Sequence, residues 1–318
     1  MTRRRVDVHS HFVPDFYREA LLEAGQDHPD GIKGIPEWSE DLAIQTMDRL
    51  DVELSILSIS SPGVHFGDSR KAADLARALN EEGARLCERN PGRFGFFATL
   101  PLPDVDAAVS ELRYSLDVLR ADGIVLETNH HGVYLGDPRL EPIYAEVSSR
   151  SSVAFIHPTS PPDAGHLALG YPRPMLEFMF ETTRSVTNMI LSGVLERHSD
   201  ARVIVPHAGA ALAVLANRVE LLLPLLAAPG DNPPPSIRRA LRQLHFDLAG
   251  APVDELLTAL LSVADPKRIH YGSDFPFTPA DACADLAALI ENTKVLADEL
   301  RDDIYRGNSE ILLSRGRT

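Results

Sequence analysis

Cysteine is nearly absent from this chain of 318 residues: only Cys87 and Cys283 occur. Two thiols without CxxC spacing make neither a disulfide framework nor a thiolate zinc site, and they suit a reducing cytoplasm. No uncharged apolar run reaches the ~18 residues that a membrane span needs. The basic start at residues 1–5 leads into VDVH at 6–9 and not into an apolar segment of ~7–15 residues, so no secretion signal is expected. No GxGxxG or Walker loop follows any apolar run. Net positive charge is also lacking. The formal balance of −15 repels phosphate backbones and argues against nucleic acid as a partner. A few local arginines can still hold an anion inside a pocket. Lysine is sparse, with Lys33, Lys71, Lys267 and Lys294 as the whole set.

What is present is a repeating pattern. Short β-rich runs lie at 6–9, 54–60, 94–100, 123–127, 153–157, 203–207, 244–247 and 269–274. Amphipathic helical stretches lie between them at 70–89, 105–120, 139–149, 175–198, 210–226, 253–264 and 280–295. Strand alternating with helix predicts a parallel sheet, and eight strands in this length predict one domain, 1–318, folded as a closed (β/α)8 TIM-type barrel. An open doubly wound sheet is the alternative. It fits less well, because polar residues of chemical use close the first, fifth, sixth and eighth strands, and only a closed barrel makes the first and eighth neighbours. Residues 12–39, rich in Gly and Pro and holding the single Trp38, predict a loop or lid insertion after strand one. Residues 159–174 form a loop after strand five. Both would overhang the C-terminal face, where a barrel builds its pocket. The Pro-rich stretch 228–235 reads as a linker.

The chemistry starts with His9-Ser10-His11. Residues two apart on a strand share a face, so two imidazoles can converge on one ion. VAFIH at 153–157 ends in His157, VIVPH at 203–207 in His207, and IHYGSD at 269–274 in Asp274. Strand ends that each close in an imidazole or a carboxylate point to one shared metal site. His9, His11, His157 and Asp274 supply three neutral imidazoles and a carboxylate, a set that suits zinc first and manganese or ferrous iron as alternatives. A bridging carbamylated lysine would need a lysine near 123–127, and none is there. Glu127 is the only other candidate bridge, so one divalent ion is expected. His207 is then free to exchange protons with a bound water or substrate, or is a further ligand. His131 lies near the mouth as a possible substrate contact, and Phe275 and Trp38 are candidates for an apolar wall. His198, His245 and His270 read as structural.

Together these segments resemble the amidohydrolase superfamily, and within it the branch of aminocarboxymuconate-semialdehyde decarboxylase and related aromatic acid decarboxylases. The resemblance runs through VDVHSH at 6–11, NPGRF at 90–94, YLGDP at 134–138, FIHP at 155–158, HAG at 207–209, GSDFP at 272–276 and GNSEIL at 307–312. SILSISSPG at 55–63, RFGFFATLPLPD at 93–104 and TNHHGVYLGDPR at 128–139 resemble 6-methylsalicylate decarboxylases most. The resemblance implies metal ligands at His9, His11, His157 and Asp274, and a catalytic His207. It also implies an arginine that reaches a neighbouring subunit's substrate, here Arg218, and so a homodimer or higher homo-oligomer. The family's other carboxylate-binding arginine is replaced near Gln45, with Arg49 out of register, so substrate recognition departs from the semialdehyde enzyme.

The implied activity is that of a lyase: non-oxidative decarboxylation of a hydroxylated aromatic carboxylic acid, with His207 and Asp274 handling protons and no organic cofactor. The alternative is a hydrolase of an ester, lactone or C–C bond that uses a metal-activated water.

Overall fold

The computed structural model describes residues 4–226, 235–250 and 253–314, so all but one residue of the stretch read as a linker lies outside the described residues. Eight parallel strands form a single sheet in sequence order. They are β1 (Arg5–His11), β2 (Val52–Ser58), β3 (Phe94–Ala98), β4 (Gly123–Glu127), β5 (Val153–His157), β6 (Arg202–Val205), β7 (His245–Asp247) and β8 (Ile269–His270). The last strand returns to the first through Val8 N on Tyr271 O at 3.1 Å and His11 N on Phe275 O at 2.7 Å. The sheet is thus the expected (β/α)8 barrel.

β3, β6, β7 and β8 are shorter than their sequence pattern, and for β6 and β8 the cause is visible. β6 stops at Val205 because Pro206 has no N–H to offer the ladder, and a single turn follows with His207 and Ala208 at φ 56° and 53°. β8 stops at His270 because the chain is drawn onto β1: Ser273 N and Oγ both donate to the Asp7 carboxylate, at 3.1 and 2.6 Å. The single helix expected over 175–198 is two, Glu177–Leu191 and Val194–Arg197, broken at Gly193 with φ 75°.

The helices bury one stripe each. In Ser69–Arg89 the residues Ala72, Ala76, Leu79, Gly83 and Leu86 recur at helical spacing and are buried, and Asp68 caps the start by accepting from Arg70 N and Lys71 N. Such a cap contributes about 1 kcal/mol. A second apolar cluster, with Val8, Ile56, Phe97, Val125, Phe155 and Ile204 from successive strands, fills the barrel interior. Leu312 and Leu313 of the C-terminal helix pack against it. The filled lower barrel confines the polar strand ends to the C-terminal face.

Residues 12–39 carry a helix, Asp15–Glu23, and a turn at Pro29–Gly31. Ser160 Oγ donates to the buried Asp30 carboxylate, and so ties this segment to the loop after β5.

The β4–β5 contact is tight. A Cβ on Gly123 would stand 2.5 Å from Val153 O and 3.0 Å from the Phe97 ring. Gly123→Ala is expected to lower the unfolding free energy by about 1–3 kcal/mol, because the Val153 backbone and the Phe97 ring must give. A urea melt checks this, and an unchanged midpoint would contradict the packing described.

Candidate metal centre

His9 and His11 end β1 with both imidazoles fully buried. Between Asp7 and Ser10 the register with β2 slips, three residues on β1 matching two on β2 from Ser55 to Leu57. The slip is a bulge that re-aims side chains at the rim. His9 N donates to the Asp7 carboxylate at 3.0 Å and fixes the bulge. His157 ends β5 directly opposite Glu127 of β4. Asp274 lies four residues past β8 in the left-handed region, φ 60°, where its N–H donates to His9 O at 2.8 Å. One ligand atom from each of His9, His11, His157 and Asp274 lies within 4.8 Å of the others. Strand ends distant in sequence therefore meet at one point.

The donor set fits a cation. Asp274 Oδ1 is 3.1 Å from His11 Nε2 and 3.4 Å from His9 Nε2, and the latter nitrogen is buried without a hydrogen-bond partner. The other ring edge of each imidazole faces an acceptor. His9 Nδ1 lies 3.0 Å from Asp247 Oδ2, His11 Nδ1 3.3 Å from Ser58 O, and His157 Nδ1 3.7 Å from Glu127 Oε2. These contacts leave the Nε2 edges of His9 and His11 to converge on a single ion.

Charge is distributed unevenly over the cluster. Burial disfavours a charge on His9, but Asp247 and Asp274 outweigh it and push its pKa up to about 10. Burial holds His11 down, with a further contribution from a charged His9, and burial with the His11 and His9 charges holds His157 well below the usual histidine range. Burial alone would raise Asp274, but the adjacent His11, His207 and His9 rings keep it well below the usual carboxylate range. Asp247 is likewise held low by His9 against the effect of burial. Two ionised carboxylates around three imidazoles that cannot all be charged leave room for one divalent cation.

His207 stands beside the cluster. Its ring centroid is 5.1 Å from that of His9, its Nε2 is 3.9 Å from Asp274 Oδ2, and its backbone N donates to Asp247 Oδ1 at 3.0 Å. Asp274 therefore turns Oδ1 to the imidazoles of β1 and Oδ2 to His207. His157, His207 and Asp274 open into a cavity of about 730 Å³ whose apolar wall includes Ile35, Met175, Phe178, Met179, Leu256 and Phe277. Among the described residues Lys33 is its one lysine or arginine.

The remaining residues singled out in the sequence lie elsewhere. Phe275 is buried in the main core, and Trp38 packs its ring 6.1 Å from Phe12. Neither lines the cavity, where Phe277 stands 5.4 Å from the His11 ring. Phe275 is excluded because its carbonyl is committed to His11 N in the barrel seam. His131 is exposed and pairs with His65 at 3.0 Å in a separate cavity of about 370 Å³ that Glu127 and His130 also line. Arg218 is exposed on the helix Leu212–Leu226, away from the cavity of its own chain. His245, His270 and His198 are held by structural contacts: His245 with His270, His270 with Ser309, and His198 with Glu141.

Sequence reasoning missed Asp247 and Phe277. Asp247 closes a strand as His157 does, and the same strand-end rule applied to β7 would have found it. Phe277 carries no such signal, because the turn after Asp274 decides which of two nearby phenylalanines faces inward.

The comparisons with known proteins agree with this geometry. The chain is 39% identical to a 6-methylsalicylic acid decarboxylase of Aspergillus aculeatus over 98% of its own length and 96% of the relative's, and 36% identical to a 6-methylsalicylic acid decarboxylase of Penicillium expansum with the same coverage. A solved structure described as an amidohydrolase II superposes with a TM-score of 0.91 at 33% identity, covering 98% of this chain and 99% of that one. The amidohydrolase family model matches residues 6–315, and by that match and by these relatives the chain belongs to the amidohydrolase family.

Proposed function

We propose that this protein is a metal-dependent carboxy-lyase that removes CO2 without oxidation from a hydroxylated aromatic acid of the 6-methylsalicylate kind. The observation that carries the proposal is the pairing of a three-imidazole, one-carboxylate cluster with His207 at the floor of an apolar cavity. Near-complete coverage by relatives named for that activity supports it. His9, His11, His157 and Asp274 would hold one divalent ion, zinc by the match of donors and manganese as the alternative. When bound, such an ion supplies Lewis-acid charge for the substrate's carboxylate and ortho oxygen.

The chain's own residues do the rest. The apolar wall takes the ring and its methyl group and excludes water. Asp274 Oδ2 and His207 Nε2, 3.9 Å apart, form a proton path to the ring carbon that bears the carboxylate. His207 passes a proton to Asp274, and Asp274 delivers it to that carbon. The bond to the carboxyl carbon then breaks, its electron pair restores the aromatic ring, and CO2 leaves. His207 is recharged from the cavity side. Ester or lactone hydrolysis would use the same residues, and the relatives' activity weighs against it. Cys87 and Cys283 form no disulfide, which suits a cytoplasmic setting, and among the described residues no helix is long and apolar enough to cross a membrane.

A homodimer belongs to the same reading. On the helix Leu212–Leu226 the residues Val214, Leu221 and Leu225 are 69%, 63% and 77% exposed, and Arg218 shares their helical stripe. An exposed apolar stripe of this kind marks a contact face. With one lysine and no arginine among the described residues that line the cavity, an arginine from a second copy would answer the substrate's carboxylate.

Three outcomes are expected. Zinc-loaded protein incubated with 6-methylsalicylate releases trapped CO2. His207→Asn lowers the rate by about 10²–10⁴-fold with unchanged metal content, the range for a lost proton-transfer group. Turnover of lactones without CO2 would instead favour the hydrolase. Second, His9, pushed up to about 10, carries a proton at ordinary pH and must lose it to become a ligand. Ion binding near pH 8 therefore releases about one proton, and affinity rises with pH; titration calorimetry in buffers of different ionisation enthalpy reads this, and zero release would show that His9 is neutral before the ion binds. Third, light scattering gives twice the chain mass for the native protein and a shift toward the monomer for Leu221→Glu. A native monomer would end the dimer reading.

A further inference from the structure

We infer that Glu127 is a positioning residue whose Oε2 is the outer acceptor for the Nδ1–H of His157, so that the Nε2 edge of His157 is presented to the metal cluster. The inference rests on the reading of that cluster as a metal centre. It assigns a role to a residue that takes no part in the proton path proposed above.

Three observations carry it. First, Glu127 and His157 are cross-strand partners in the β4–β5 ladder, so backbone hydrogen bonding fixes their separation and not a flexible loop. Second, Glu127 Oε2 and His157 Nδ1 are both buried polar atoms without a hydrogen-bond partner, and they lie 3.7 Å from each other. Buried polar atoms in native structures are paired, and here each supplies what the other lacks, a donor nitrogen and an acceptor oxygen. A movement of about half an ångström would bring the pair within the usual N–H···O range. Third, the arrangement completes a pattern. His9 turns Nδ1 to Asp247 and His11 turns Nδ1 to Ser58 O, each leaving Nε2 for the cluster. For His157 the Nε2 edge is marked by Ser60 Oγ at 3.4 Å, and Ser60 lines the same cavity as His207 and Asp274.

The two ring nitrogens of an imidazole point to opposite sides. A carboxylate on the Nδ1 side of His157 therefore stands behind the ring and not beside the ion. This separates the positioning role from the bridging role that a carboxylate at the end of strand four would suggest. Ligation at Nε2 leaves the proton on Nδ1, and an acceptor there fixes both the tautomer and the ring plane. Either protonation state of Glu127 keeps a lone pair on an oxygen for that purpose.

The test compares Glu127→Leu with Glu127→Gln. Leucine places an apolar group of similar size at a buried site and so preserves the fold, which circular dichroism checks. Zinc affinity, measured by competition with a chromophoric chelator, is expected to fall by about 10–100-fold in Glu127→Leu, the usual effect of losing an outer partner of a ligand histidine. Glu127→Gln, whose amide oxygen still accepts, recovers most of that loss. In ¹H–¹⁵N spectra of the zinc-loaded protein, one histidine ring N–H, assigned through His157→Gln, loses its downfield hydrogen-bonded position in Glu127→Leu and keeps it in Glu127→Gln. Unchanged affinity in Glu127→Leu, with native metal uptake, would overturn this inference alone. So would equal losses in both variants with the zinc stoichiometry falling from two to one, because Glu127 would then be a ligand. If Glu127→Leu does not fold, a Glu127→Gln protein that loses the ring N–H signal overturns the inference and one that keeps it supports it. A native chain that took up no divalent ion would overturn both this inference and the reading of the site beneath it.

Discussion

The seam between β1 and the chain after β8 is the constraint on which the site depends. Its centre is the buried carboxylate of Asp7, which accepts from His9 N, Ser273 N and Ser273 Oγ. Burial pushes that carboxyl up to about 7 even though Ser273 and the His9 and Ser273 amides stabilise its charged form. On either side of it, Val8 N, His11 N and Asp274 N donate to Tyr271 O, Phe275 O and His9 O. These bonds close the barrel and also set the distance from Asp274 to the two β1 histidines. A stability element and a site element are therefore the same set of atoms. Loosening the seam would cost barrel closure and ligand geometry together.

That identity explains an oddity of the rim. Asp274 and His207 both adopt left-handed backbone, a conformation that aspartate tolerates and histidine uses rarely. Such strain persists only where surrounding bonds over-determine it. For Asp274 the bond is its N–H to His9 O, and for His207 it is the N–H to Asp247 Oδ1. Asp247 also holds His9 Nδ1, so one carboxylate orients a cluster histidine and anchors His207, the histidine proposed to transfer the proton. The spacing between the two functions is thereby fixed through a single side chain.

Most of this was legible in the sequence, and what escaped has a physical cause. Short β-rich apolar runs located all eight strands, and β4 and β5 to the residue, because both are buried on two faces and bounded by clear turns. The convergence of His9, His11, His157 and Asp274 followed from strand ends alone. Three things did not follow. The slip between Asp7 and Ser10 is invisible to alternation, which treats a strand as regular. The shortness of β8 reflects a competition for Ser273 that only the folded seam creates. Cavity-facing rings depend on the turn after Asp274, so Phe277 lines the pocket while Phe275 packs inside, although their residue type is the same. Local pattern thus located the chemistry, and long-range hydrogen bonds decided its fine placement.

Charge gives the last step. A chain with formal charge −15 must attract an aromatic carboxylate into a cavity that, among the described residues, is lined by one lysine and two carboxylates, Asp30 and Asp274. The field of the protein as a whole opposes that ligand. Burial holds His11 and His157 below the range in which they would be protonated, and His9, which is charged before an ion binds, would give up its proton on becoming a ligand. Lys33, on the wall formed by residues 29–36, is exposed, and its charge is screened there. Attraction must therefore come from a cation that the cluster binds, with Arg218 of a second copy as the one further source proposed here. The neutral imidazoles, the acidic surface and the exposed apolar stripe around Arg218 are then parts of one arrangement. In that proposal the ion would bind the acid group and the apolar wall would take the ring, and the rest of the surface is free to be negative.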